Sequence, residues 1–132
     1  MITIKEVSEK FGITTHTIRF YEKEKLVAIP RNERGIRDFD ERSITRVKTI
    51  LHYRNVGMSL EDIRRVLAHS NDHNFSLSVL AKTKEELDRK IMELEETRSY
   101  LDRKIAIHQE LAEKENAKKL KQLEHSLSYK VN

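Results

Sequence analysis

Cysteine is missing from this chain, and its 132 residues include a single proline and only three glycines. The first absence excludes disulfides, thiolate redox sensing and cysteine–metal coordination. It fits a reducing compartment. With so little proline and glycine, few positions force a helix to stop. No apolar run approaches the length needed to cross a bilayer, and the first residues carry no secretory pattern. We therefore expect a soluble, cytoplasmic protein with no membrane partner. Also missing are a glycine loop that could cradle phosphate, a paired acid and base, and a nucleophile beside its base. An enzyme is not expected. Ser43 and His52 are polar, but nothing in the sequence ties them to catalysis.

Charge, by contrast, is abundant: 36% of the residues carry it, with a net charge of +4. A chain of this length allows one small globular domain plus an extension. Residues 1–70 hold 14 Lys and Arg against 10 Asp and Glu, whereas residues 71–132 hold 12 of each sign. The whole excess lies in the first half. A basic module joined to a charge-balanced one suits a DNA-binding head. A solubility surplus with no partner has the same net charge.

The segment ITIKEVSEKFGITTHTIRFYEKEKL carries the main local signal. Thr3 followed by Glu6 forms a capping box that opens a helix. Ile4, Val7 and Phe11 recur at helical spacing and define its buried face. Gly12 supplies the left-handed conformation that ends it. Thr14 caps a second helix almost at once, with Ile18 turned inward. Two helices joined so tightly form an angled pair, and the second can be offered to a DNA groove. Its outward positions are Thr15, His16, Thr17, Arg19, Phe20, Tyr21 and Lys23. Hydroxyl, imidazole, guanidinium and aromatic groups in this mixture suit base edges and phosphates. An ordinary helical hairpin with a polar outer face remains the plainer reading.

Pro30 and Gly35 punctuate residues 27–39, so a short β-hairpin, or wing, is expected there. Arg31, Arg34 and Arg37 would project from it toward phosphate or the minor groove. The alternative is that they only keep the loop soluble, but their placement beside His16 and Arg19 favours the DNA reading. Asp40 caps a third helix running to about Asn55, with Ile44, Val47, Ile50 and Leu51 as its apolar stripe. Gly57 follows, and Ser59 with Asp62 opens a fourth helix. The expected core is Ile4, Val7, Phe11, Ile13, Ile18, Leu26, Phe39, Val47, Leu51, Met58 and Ile63.

Residues 69–75 form a polar break. From Ser76 to about Lys114 there is no glycine or proline, and Leu80, Leu87, Leu94 and Leu101 recur every seventh residue. Leu77, Ile91 and Ile105 fill most of the alternate positions. This is a coiled-coil heptad pattern, interrupted at Lys84 and Arg98. At about 1.5 Å per residue, the helix spans about 60 Å. Such a stripe needs a partner, and self-association through Leu80, Leu87, Ile91, Leu94, Leu101 and Ile105 is favoured over packing on the chain's own head. Glu115, Asn116 and Ala117 mark an expected break. Leu120, Leu123 and Leu127 then form a short amphipathic helix that folds back onto the coil.

The segments ITIKEVSEKFGITTHTIRFYEKEKL, RGIRDFD and VGMSLEDIRRVL stand in this order over about the first half of the chain. In them the chain resembles the MerR family of bacterial transcription regulators. The long heptad helix is similar to that family's dimerisation helix in type and position. The resemblance implies a mainly α fold: a winged helix–turn–helix DNA-binding domain (1–70), a linker (71–75), a dimerisation helix in an antiparallel coiled coil (76–115) and a short C-terminal helical tail (116–132). It also implies a homodimer that straddles a palindromic operator on double-stranded DNA at the nucleoid. Bending and untwisting the duplex would align two promoter elements for RNA polymerase. Such distortion costs roughly 1–6 kcal/mol and must be offset by phosphate contacts.

By the same resemblance, His16 and Thr17 fall where the recognition helix meets bases, and Arg19 falls on a recurrent DNA-contacting arginine. Tyr21 matches the second of two paired aromatics and would donate to a phosphate. Phe20 stands where tyrosine is commoner. Arg37 matches the wing arginine, and Ile36 replaces a frequent tyrosine at the wing tip. Ser59, capping the fourth helix, would present backbone N–H groups to a phosphate.

Metal-sensing relatives use cysteines near the end of the long helix. The stretch AEKENAKKL has neither cysteine nor histidine, so no metal is expected. His69 and His73 stand four apart, a ligand spacing only if helical. His108 falls on the heptad seam. No cofactor is expected. No separate ligand domain is expected after the coil, so a small-molecule effector is expected in the crevice between the coil of one subunit and the first domain of the other. His52, Tyr53, Phe75 and Tyr100 are the polar-aromatic candidates. The function expected is a dimeric, sequence-specific transcription regulator answering a non-thiol signal. The alternatives are an architectural DNA-binding protein without an effector and a coiled-coil adaptor whose basic head binds an acidic protein.

Overall fold

Five helices follow one another along the chain: α1 (Ile4–Phe11), α2 (Thr15–Lys23), α3 (Glu41–Asn55), α4 (Leu60–Ala68) and α5 (His73–Val131). The structure, a computed structural model, describes the backbone of residues 1–131 and the side chains of residues 1–128. Its contacts divide into two units, Met1–Leu87 and Asp88–Asn132.

Each short helix begins where a hydroxyl or carboxylate can satisfy an orphan N–H. Thr3 Oγ1 accepts the Glu6 N–H at 3.2 Å and donates to the Glu6 carboxylate. Thr14 Oγ1 accepts the Thr17 N–H at 3.1 Å. Ser59 Oγ accepts the Asp62 N–H at 3.1 Å. The α1–α2 turn depends on Gly12, whose φ of 64° is costly for any residue with a Cβ. The Ser8 hydroxyl donates to the Ile13 carbonyl and locks that turn from beneath.

At α3 the cap is reciprocal. Asp40 Oδ1 accepts the Ser43 N–H at 2.8 Å, and the Ser43 hydroxyl meets the Asp40 N–H at 3.0 Å. Ser43 is buried and Asp40 is exposed, so the box joins the surface of the head to its interior. The Ser43 bonds, side chain first and then backbone, hold the Asp40 carboxyl below its ordinary value.

The core of the first unit gathers Val7, Ile18, Tyr21, Leu26, Val27, Ile29, Phe39, Val47, Ile50 and Ile63. Ile4, Phe11, Ile13, Leu51 and Met58 pack against it while partly buried. Tyr21 was expected to face outward, yet it is only 6% exposed. It lies three residues after Ile18, on the same side of α2, so the helix turns both side chains inward together.

The wing is smaller than a ribbon. Among the described residues it contains no strand, only one antiparallel bridge between Arg31 and Arg37. Asn32 explains the economy. Its Oδ1 accepts the N–H groups of Arg34 at 2.9 Å and Ile36 at 3.0 Å, and Gly35 takes a φ of 76°. The turn therefore uses most of the loop and leaves room for one pair. The N-terminal residues brace its descending arm: Phe39 N–H donates to the Ile2 carbonyl at 3.0 Å.

Helix α5 begins at His73, within the interval read as a linker, because Asp72 Oδ1 accepts the Phe75 N–H at 3.1 Å and caps it early. The short separate C-terminal helix is not formed. α5 runs through Glu115, Asn116 and Ala117 to Val131. Those three residues include neither glycine nor proline, and alanine is the best helix former. Ion pairs Lys114–Glu110 and Lys119–Glu115, both at 3.2 Å, span the site of the expected break. Residue 132, the last of the expected tail, lies outside the described residues.

Two outcomes follow from this packing. Ile50, fully buried, should cost about 2–5 kcal/mol when replaced by alanine, read as a lowered denaturant midpoint with unchanged slope. Asp40 has a folded-state pKa below its ordinary 3.8, so its ionised cap stabilises fully above that pH and is lost as pH falls through the lowered value. Asp40→Asn should therefore flatten the acid limb of a thermal-midpoint-against-pH curve; an unaltered limb would contradict the cap's role.

Candidate nucleic-acid interface

Helix α2 offers an exposed face built from residues three and four apart. His16, Arg19 and Phe20 are exposed, and Thr15 is half-buried beside them. Arg19 Nη1 donates to Thr15 Oγ1 at 3.3 Å, which lays the guanidinium along the helix one turn from its N-terminus. Thr17 is half-buried, and its hydroxyl lies 2.8 Å from that of Thr14. Its oxygen thus takes part in the cap. Tyr21 packs its ring in the core, 6.2 Å from the Phe20 ring. Lys23 ends the helix, exposed.

The wing lies against the far end of this helix. Glu22 Oε1 accepts from Arg31 and from Arg37, at 3.0 Å and 2.8 Å for the closest nitrogens. Arg37, one of the expected DNA contacts, is thereby held on the protein itself. Arg34 and Ile36 are exposed at the tip. A second tie joins α4 to the end of α2, where Arg64 Nη2 donates to the Glu24 carbonyl at 2.9 Å and to its carboxylate at 3.3 Å. Ser59 is exposed at the start of α4. Recognition helix, wing and the α4 N-terminus thus belong to one braced body.

Glu22, Asn32 and the Arg64–Glu24 tie were not legible as functional residues. The opposite charges were visible, but the pairs span 9, 15 and 40 residues, and only the fold brings them together.

The effector candidates within the first unit do not converge. Phe75 meets His69 edge-on at 5.2 Å and lines a cavity of about 350 Å³ with Met58, Val66, Val79, Asp62 and Lys82, among others. His52 and Tyr53 do not line it; His52 is exposed and Tyr53 packs on the core. Tyr100, in the second unit, is exposed beside Arg103 and Lys104. His69 caps the end of α4 and His73 opens α5, so they do not share one helical face. No group of three metal-ligating side chains occurs among the described residues. None of the described helices is long and apolar enough to cross a membrane.

A tight pair of helices with a basic, hydrogen-bonding outer face and an adjoining wing defines a helix–turn–helix DNA-binding protein. Comparison with known proteins narrows the class. Residues 2–70 match the family model described as MerR HTH family regulatory protein, and residues 44–104 match that described as MerR, DNA binding. The HTH-type transcriptional regulator HmrR of Rhizobium leguminosarum bv. viciae is 34% identical over 105 residues, covering 76% of this chain and 81% of that protein. The regulator CueR of Salmonella typhimurium is 33% identical, covering 76% of each. Among solved structures, HiNmlR, a MerR family regulator lacking the sensor domain and bound to promoter DNA, superposes with a TM-score of 0.67. It shares 31% identity over 76% of this chain and 78% of that one. A putative MerR family regulator from Listeria monocytogenes gives 0.66 at 34% identity, covering 80% and 83%. The chain belongs to the MerR family of DNA-binding transcription regulators, and it is not an enzyme.

Arg19→Ala removes the one exposed guanidinium of α2 without touching the core. Sequence-specific affinity in a gel shift should fall by about 1–3 kcal/mol while helical content is retained. Unchanged affinity would mean that another face of the head meets DNA.

Proposed function

We propose that the chain works as a homodimer, joined through α5, that reads a palindromic operator with the α2 face and wing of each copy. One observation carries this reading. Leu80, Leu87, Ile91, Leu94, Leu101 and Ile105 are all exposed on α5, with Leu94 at 67%. Fully burying an exposed side chain of this size is worth about 1.5–3 kcal/mol; these are 37–67% exposed, so each gains part of that and the row together favours association. Lys84 and Arg98 lie on the same seam. Parallel, in-register pairing would set each against its own copy, which supports an antiparallel coil.

In this reading Thr15, His16, Thr17 and Arg19 meet base edges. Phe20, Arg34 and the N–H groups behind Ser59 meet the backbone, while Tyr21 anchors α2 from the core. Arg37 holds the wing. The dimer bends and untwists promoter DNA so that RNA polymerase can engage it, at the nucleoid in the cytoplasm. A non-thiol small molecule acts at the cavity beside Phe75, whose mixed apolar and charged lining suits a polar aromatic compound. A second reading has specific support: HiNmlR is described as lacking the sensor domain while bound to promoter DNA. By that precedent the chain acts architecturally, with no effector. Promoter-specific transcription in vitro, with and without candidate metabolites, separates the two.

Selection of bound sites from random duplex tests the reading as a whole. The consensus should be an inverted repeat whose half-sites lie a whole number of helical turns apart. A single unrepeated element would overturn it. Leu94→Asp should place a charge in the seam, split the dimer in sedimentation and lower operator affinity with it. A variant that stays paired would place the seam elsewhere.

A further inference from the structure

We infer that Glu22 is a positioning residue: one carboxylate oxygen holds both arms of the wing and so fixes the wing against the recognition helix. The inference rests on the DNA-binding reading above and names what sets its selectivity.

Glu22 stands one residue before the end of α2. Its Oε1 accepts from Arg31 Nη2 at 3.0 Å, from Arg37 Nε at 3.0 Å and from Arg37 Nη2 at 2.8 Å. Arg31 and Arg37 are themselves the two residues of the wing's bridge. Residues opposed in an antiparallel pair project to the same face, and like charges placed there repel. Left alone, the wing's single pair would be its weakest point. One anion between the two guanidiniums reverses that sign. Because the anion belongs to α2, neither arm of the wing can shift without breaking a charge-assisted bond. The Glu22 and Arg37 side chains are 20% and 23% exposed, so water screens their pair only in part. Arg31, at 42%, is the wetter arm.

Two consequences follow. The exposed tip, Arg34 to Ile36, keeps a fixed offset from Arg19, and that offset selects the operator. Two of the three wing arginines are also neutralised within the protein. They add less to indiscriminate phosphate attraction than free arginines would, and Arg34, with no ion pair among the described residues, is the one left to answer a phosphate.

Glu22→Gln keeps the shape and removes the charge. The full-length variant is compared with the parent on a duplex carrying the selected site and on random duplex, across a range of salt. Helical content should be retained. The ratio of specific to random affinity should fall on the order of tenfold. The slope of log affinity against log salt on random duplex should steepen by about one to two, as released guanidiniums reach phosphates. A structural defect alone would lower the active fraction and leave that slope unchanged. An unchanged slope therefore overturns the inference, whatever happens to the ratio. Should Glu22→Gln fail to fold, Arg37→Gln decides: its slope should flatten by well under one, and flattening by about a full unit would show that Arg37 serves phosphate and not Glu22. A parent protein that prefers no duplex would remove the DNA-binding reading itself, and this inference with it.

Discussion

A helix of 59 residues cannot hide a row of leucines on one side of itself. That constraint governs the second half of the chain. α5 has enough charge on its other faces to remain hydrated, and its i,i+4 ion pairs add a few tenths of a kcal/mol each. Neither feature covers Leu94 or Leu101. Leu120, Leu123 and Leu127, farther along the same helix, are also exposed.

The head solves a different problem. It must hold a nine-residue recognition helix and a seven-residue wing still with a small core and almost no sheet. It does so by tethering both ends of α2. The N-terminal end is fixed by Thr14 and by the Ser8–Ile13 bond beneath the turn. The C-terminal end is fixed by Glu22 to the wing and by Glu24 to α4. Between them Ile18 and Tyr21 anchor the buried side. The face left to solvent is thereby rigid, which reduces the ordering cost when it meets a partner.

Much of this was legible in the sequence because it is local. Caps at Thr3, Thr14, Asp40 and Ser59 depend on residues three apart, and each forms as expected. The heptads of α5 and most of the core follow from periodicity alone. What escaped is non-local or depends on which way a side chain turns. Tyr21 was read as outward because its type suits a phosphate contact, whereas helical phase with Ile18 turns it inward. The wing's arginines were read as free because their shared acceptor lies 9 and 15 residues away. The break was placed at Glu115, Asn116 and Ala117, but three residues without glycine or proline do not end a helix.

The central claim is that two copies of this chain act together, and mass in solution tests it most directly. Sedimentation equilibrium of the full chain at micromolar concentration should return twice the chain mass of 15.7 kDa. With a duplex carrying the selected inverted repeat, it should return two chains per duplex. A species of single-chain mass, free and on DNA alike, would contradict the account.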